Sequence, residues 1–144
     1  MMDGSIEVAA PGTSEDPMIA KKMRCVLVVD DEPDIRETLA EILEHDGYQV
    51  DIASGGRDAL ERIAASDYDA ILSDIRMPEM NGMELYRRLQ GISPDLAGRF
   101  IVVTGDDLSG SVRAFLDATG VPFIEKPFGP ADVRRAVAAK LGPA

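Results

Sequence analysis

Five short apolar runs, each followed by a segment with helical periodicity, are the feature that most restricts the fold of this chain. The runs are rich in β-branched residues, and continuous apolar strands are typical of parallel sheets that are buried on both faces. Alternation of strands and helices favours crossover connections between parallel strands. The sequence therefore predicts an α/β fold with a doubly wound parallel sheet, whose strands are residues 24–30, 48–53, 70–74, 100–104 and 122–126.

Amphipathic segments between these strands supply the helices that cover the sheet. Pro33 suits the first turn of the first helix, Gly47 suits its end, and Ser54 is expected to cap the second helix. The residues expected to face the core are Ile35, Leu39, Ile42 and Leu43 in the first helix, Ala59, Leu60 and Ile63 in the second, Leu85 and Leu89 in the third, Val112, Phe115, Leu116 and Thr119 in the fourth, and Val133, Ala136, Val137 and Leu141 in the last.

Length and charge restrict the class of protein further. A chain of 144 residues fits one domain, and we expect a flexible leader over residues 1–22 followed by the domain over 23–144. The net charge of −11 argues against direct binding of nucleic acid, which depends on phosphate neutralisation. The sequence has neither an apolar run long enough for membrane insertion nor a secretory signal, so the cytoplasm is the expected compartment. A single cysteine, Cys25, excludes an intramolecular disulfide.

Charged and hydroxyl side chains stand at the carboxyl ends of four predicted strands. Asp30 and Asp31 follow the first strand, Asp74 ends the third, Thr104 ends the fourth and Lys126 ends the fifth. Each residue alone is most often a turn residue or a solvated side chain. Ligands of doubly wound sheets bind beyond the carboxyl ends of the strands, so these side chains together indicate a site.

Three acids at one edge of a sheet need electrostatic compensation. Two carboxylates about 4 Å apart repel by roughly 4 kcal/mol at an effective dielectric constant near 20, and a single lysine cannot neutralise three of them. Such a cluster either has raised pKa values or holds a cation. Oxygen ligands without histidine or cysteine favour a hard ion, and few ligands favour Mg²⁺ over Ca²⁺. A phosphoryl group would complete the coordination shell.

Four motifs resemble the receiver-domain family of two-component signalling. They are VVDDE at 28–32, SDIRMPEMNG at 73–82, VTG at 103–105 and EKPF at 125–128. The resemblance extends from residue 24 to about 141, with the motifs in the order and at the spacing of the family. It implies a flavodoxin-like (βα)₅ fold with strand order 2-1-3-4-5.

The resemblance implies a role for each residue of the predicted site. Asp74 would be the phosphoacceptor, which attacks the phosphorus of a phosphohistidine donor. Asp31, Asp74 and the backbone carbonyl of Arg76 would bind Mg²⁺, for which Mn²⁺ can substitute. Asp30 would act mainly through a metal-bound water. The protein would not turn over an external substrate, although it would phosphorylate and dephosphorylate itself.

Further residues would bind the phosphoryl group and transmit the signal. Lys126 and Thr104 would contact phosphoryl oxygens, and Gly105 would keep access open. The Lys126–Pro127 peptide bond is expected to be cis. Movement of Thr104 would draw in Phe123 and change the surface formed by the fourth helix, the fifth strand and the last helix.

The resemblance also implies partners. The donor would be a histidine kinase or a histidine phosphotransfer protein, the downstream protein is not identifiable, and the chain would be a monomer or a weak phosphorylation-dependent dimer. Because only three residues follow Leu141, we expect either a stand-alone regulator or the receiver at the end of a hybrid kinase.

Three other functions fit the sequence less well. A phosphatase of the haloacid dehalogenase type would place its nucleophile after the first strand. A flavodoxin-type redox module would need a phosphate-binding loop there, where 30–32 is acidic. A degenerate receiver that serves only for docking would lack some of the site residues, and all of them are present.

Overall fold

A five-stranded parallel sheet forms the centre of the computed structural model, which describes residues 23–105 and 110–142. The strands are β1 (Cys25–Val29), β2 (Gln49–Ala53), β3 (Ala70–Asp74), β4 (Phe100–Thr104) and β5 (Phe123–Glu125). Every pairing is parallel, and the order across the sheet is β2-β1-β3-β4-β5. Both the predicted doubly wound α/β fold and the strand order implied by the resemblance are confirmed.

Helices cover both faces of the sheet because alternate residues of each strand point to opposite sides. In the described part of the chain they are α1 (Pro33–His45), α2 (Gly56–Ala65), α3 (Gly82–Ile92), α4 (Pro94–Ala97), α5 (Gly110–Thr119) and α6 (Pro130–Leu141). The first hydrophobic cluster packs α2, α3, α4 and α5 against one face, where Leu27, Ile71 and Phe100 are fully buried or nearly so. The second packs α1 and α6 against the other face, on Val28 and Leu72.

Three local predictions differ from the structure. The short helix α4 was not predicted, and its Leu96 and Ala97 are buried in the first cluster. Strands β1, β2 and β5 are one or two residues shorter than predicted. Ser54 does not cap α2, whose N-cap is Gly55. The Asp58 carboxylate instead accepts a hydrogen bond from the Ser54 backbone N–H at 3.0 Å.

Residues 1–22, for which a flexible leader is predicted, lie outside the described residues. Among the described helices, none combines the length and the apolar character that crossing a bilayer requires.

Candidate functional site

The carboxyl ends of β1, β3, β4 and β5 bring the predicted site residues to one edge of the sheet. The central pair β1 and β3 is in register at Val29 and Ser73, so the next residues are neighbours: Asp30 follows β1, and Asp74 ends β3. On the other side of β3, Thr104 ends β4 and pairs with Glu125 of β5. Lys126 follows directly, and its backbone N–H donates to the Thr104 carbonyl at 2.8 Å.

Three carboxylates form a tight group at this edge. One oxygen from each of Asp30, Asp31 and Asp74 lies within 4.8 Å of the other two. Asp30 and Asp74 are buried, with exposed fractions of 0% and 6%, whereas Asp31 is more exposed. Oδ1 of Asp30 accepts the Glu32 backbone N–H at 2.9 Å. Its Oδ2 is buried without a hydrogen-bond partner. A buried carboxylate oxygen without a donor, beside two further acids, fits a hard cation.

Lys126 is the ammonium group of the site. Its Nζ lies 3.5 Å from Asp74 Oδ2, 3.7 Å from Asp30 Oδ2 and 3.8 Å from Oε1 of Glu32. The single positive charge of Lys126 therefore lies near three carboxylates. The sequence predicted that Lys126 lies beside the acids, but it did not predict the contact with Glu32. Glu32 lies in the loop after β1, where strand pairing does not determine which residues are neighbours.

Burial is the main cause that raises the pKa values of both buried acids, and neighbouring carboxylates add to it. Burial, followed by the neighbouring charge of Asp30, raises the pKa of Asp74 to about 6, and Lys126 opposes this shift. Burial also raises the pKa of Asp30, against the hydrogen bond from Glu32 and the charge of Lys126. Burial therefore disfavours the charged form of both carboxyl groups, and a cation bound between them would favour it.

The loop between β3 and α3 holds Asp74 through close backbone packing. Asn81 caps α3, since its Oδ1 accepts the Glu84 N–H at 2.9 Å. The Gly82 N–H donates to the Ile75 carbonyl at 2.9 Å. A Cβ atom on Gly82 would lie only 2.4 Å from the Asp74 carbonyl oxygen. The sequence identified this segment as a motif, but the close approach that requires glycine appears only in three dimensions.

Of the other predicted residues, Thr104, Gly105 and Lys126 lie at the same edge, whereas Phe123 lies at the opposite end of β5. Thr104 is buried, and Gly105 faces Lys126, whose Cδ would be 3.2 Å from a Cβ at position 105. The Lys126–Pro127 peptide bond is cis. Phe123 is 37% exposed at the start of β5, which places it on the surface rather than in the core.

Two arginines stand near the acids. Arg76, whose backbone carbonyl is a predicted metal ligand, lies two residues beyond Asp74 in the β3–α3 loop. Arg36 was missed by the sequence analysis. Its Nη1 donates to the Asp30 carbonyl at 2.8 Å and so links α1 to the end of β1. Its position one turn into α1 was the only signal of this contact in the sequence.

Comparison with known proteins agrees with this geometry. The family model of the response regulator receiver domain matches residues 26–138. The response regulator MprA of Mycobacterium tuberculosis is 39% identical over 103 residues, which are 72% of this chain and 44% of that protein. MprA of Mycolicibacterium vanbaalenii has the same identity and coverage. The chain thus spans less than half the length of the curated relatives it matches.

Solved structures of receiver proteins superpose on this chain over nearly their whole length. A CheY-like receiver domain from Methanospirillum hungatei has a TM-score of 0.76 and 31% identity, covering 83% of this chain and 94% of that one. The response regulator TrrA of Thermotoga maritima, solved in complex with Mg²⁺–BeF, has a TM-score of 0.71 and 31% identity, covering 81% of this chain and 98% of that one. This chain therefore belongs to the response regulator receiver domain family of two-component signalling.

Proposed function

We propose that this chain accepts a phosphoryl group on the Asp74 carboxylate, in a Mg²⁺-dependent reaction, from a histidine kinase or a histidine phosphotransfer protein. The observation that carries the proposal is the position of Asp74 at the meeting point of an acid cluster and a lysine. Its Oδ2 lies 3.5 Å from Lys126 Nζ. One of its carboxylate oxygens lies within 4.8 Å of a carboxylate oxygen of Asp30 and of one of Asp31.

The acid cluster fits a bound divalent cation. Asp31, Asp74 and the backbone carbonyl of Arg76 would hold Mg²⁺, and Asp30 would contribute through a coordinated water; Mn²⁺ offers the same oxygen-ligand chemistry. When bound, the ion neutralises negative charge on the carboxylates and on an incoming phosphoryl group. The TrrA structure with Mg²⁺–BeF supports this assignment, because TrrA shares the fold and 31% of the sequence.

The residues of this chain would then divide the work of the transfer. A carboxylate oxygen of Asp74 attacks phosphorus while the bond from phosphorus to the donor's imidazole nitrogen breaks, and the electron pair of that bond stays with the imidazole. Lys126 moves from the carboxylates to a phosphoryl oxygen, and the Thr104 hydroxyl donates to another. Gly105 leaves room beside Lys126 for the group to enter.

The signal would leave the site through β4 and β5. Thr104 ends β4, and Phe123 lies on β5 with 37% of its surface exposed. Once Thr104 turns toward the phosphoryl group, Phe123 would rotate into the space beside it. This would alter the surface of α5, β5 and α6, where a downstream protein binds. Because residue 123 is phenylalanine, that output does not depend on an aromatic hydroxyl.

Phosphorylation with a small donor tests the proposal directly. We expect incubation with phosphoramidate and Mg²⁺ to add one phosphoryl group, which peptide mapping by mass spectrometry assigns to Asp74. The label should be lost in Asp74→Asn, since an amide is not a nucleophile here, and with a metal chelator. Asp67→Asn is the matched control, because Asp67 is an exposed acid that precedes β3 at the other end of that strand. Undiminished labelling of Asp74→Asn would refute the assignment.

A further inference from the structure

Glu32 is the third carboxylate on Lys126 and the one that faces solvent. Its side chain is 64% exposed, whereas those of Asp30 and Asp74 are 0% and 8% exposed. Its backbone already has a structural role, because the Glu32 N–H donates to Asp30 Oδ1 and its carbonyl accepts from Arg36. The side chain is not needed for either bond. It makes no capping hydrogen bond to α1, although Glu32 occupies the N-cap position.

The Lys126 ammonium therefore has buried carboxylates on one side and Glu32 on the side open to solvent. Nζ lies 3.8 Å from Glu32 Oε1, a little farther than from the two buried acids. An incoming phosphoryl group must reach Lys126 from solvent. Its oxygen would have to take the place of the Glu32 carboxylate, since both are anions that seek the same ammonium group.

We propose that Glu32 restrains phosphorylation by competing with the phosphoryl group for Lys126. This inference rests on the proposed function, for which Glu32 would be a positioning residue that acts through Lys126. An exposed ion pair contributes about 0.2 to 1 kcal/mol, so its loss should change the equilibrium by a factor of about 1.4 to 5. Among the described residues, Lys126 is the cation that pairs with Glu32, whereas the nearby Arg36 donates its hydrogen bond to the Asp30 carbonyl.

Two substitutions at position 32 separate the contact from the charge. Glu32→Gln removes the charge and with it the ion pair. Glu32→Asp keeps the charge but is one methylene shorter, and an aspartate at an N-cap accepts hydrogen bonds from the first turn of its helix, which would turn it away from Lys126. Glu37→Gln is the control. Glu37 is an exposed acid of α1, so this variant has the same net charge as Glu32→Gln.

The measurements are the rate of Asp74 phosphorylation by phosphoramidate and the affinity for beryllofluoride in the presence of Mg²⁺. We expect both to rise by a factor of about 1.4 to 5 in Glu32→Gln and in Glu32→Asp, and to stay at the wild-type value in Glu37→Gln. The increase in Glu32→Gln should shrink at high salt, because an exposed ion pair is screened.

Each other outcome has a distinct meaning. If only Glu32→Gln is faster, the effect is charge repulsion and the contact with Lys126 is irrelevant, which overturns the inference. Rates at or below the wild-type value in Glu32→Gln also overturn it. A wild-type protein that takes no phosphoryl group would instead reject the proposed function on which the inference depends.

Discussion

Gly82→Ala is expected to lower the free energy of unfolding by about 3 kcal/mol and to slow phosphorylation of Asp74 about 100-fold. The added Cβ would lie 2.4 Å from the Asp74 carbonyl oxygen and 3.2 Å from Ile75 Cα. Both contacts are with backbone, which cannot rotate away, so the end of β3 or the start of α3 must shift. A shift of the phosphoacceptor by even about 1 Å disturbs the geometry of in-line attack.

Gly91→Ala provides the matched control within the same helix. A Cβ at position 91 meets nothing within 4 Å, and Gly91 lies inside α3. Since alanine favours the helix, this variant should gain about 0.5 to 1 kcal/mol and be phosphorylated normally. Urea denaturation and the rate with phosphoramidate measure both effects. Equal stability of the two variants would contradict the close packing of Gly82 on Asp74.

Asp74→Asn is expected to stabilise the metal-free protein at pH 8 by up to about 3 kcal/mol, although it removes the proposed phosphoacceptor. The pKa of Asp74 is about 6 in the folded protein, against an ordinary value of 3.8. Between about pH 4 and pH 6 the folded state therefore still holds a proton that the unfolded state has already lost, and above that range folding must keep a buried carboxylate charged. As the pH rises from about 4 to above about 6, wild-type stability falls by the free energy that corresponds to this pKa difference.

The pH dependence distinguishes this effect from a general gain in packing. Below about pH 4 the carboxyl group is protonated in both states, so wild type and Asp74→Asn should unfold at similar urea concentrations. Asp67→Asn, an exposed substitution, should change stability by less than about 0.5 kcal/mol at either pH. Added Mg²⁺ should stabilise the wild type more than Asp74→Asn. If the Asp74→Asn variant is no more stable than wild type at pH 8, the pKa of Asp74 is not raised in the folded protein.

The strands were the most predictable part of the fold. The bounds of β3 and β4 coincide with the predicted runs 70–74 and 100–104, because a strand buried on both faces needs an unbroken apolar stretch. The ends of β1 and β5 and the four-residue helix α4 were less predictable. Hydrogen bonding to neighbouring strands decides where a short strand ends, and so short a helix shows no periodicity.

The sequence by itself determined which residues end the strands, and thereby that Asp30, Asp31, Asp74, Thr104 and Lys126 meet at one edge of a parallel sheet. Periodicity and strand ends are local properties, and a parallel sheet brings all of its carboxyl ends together. Only the tertiary structure decided the contact of Glu32 with Lys126, the buried Asp30 oxygen without a donor and the close approach of Gly82 to Asp74. These depend on how loops and side chains pack in three dimensions, and no periodicity or strand end in the sequence encodes such distances.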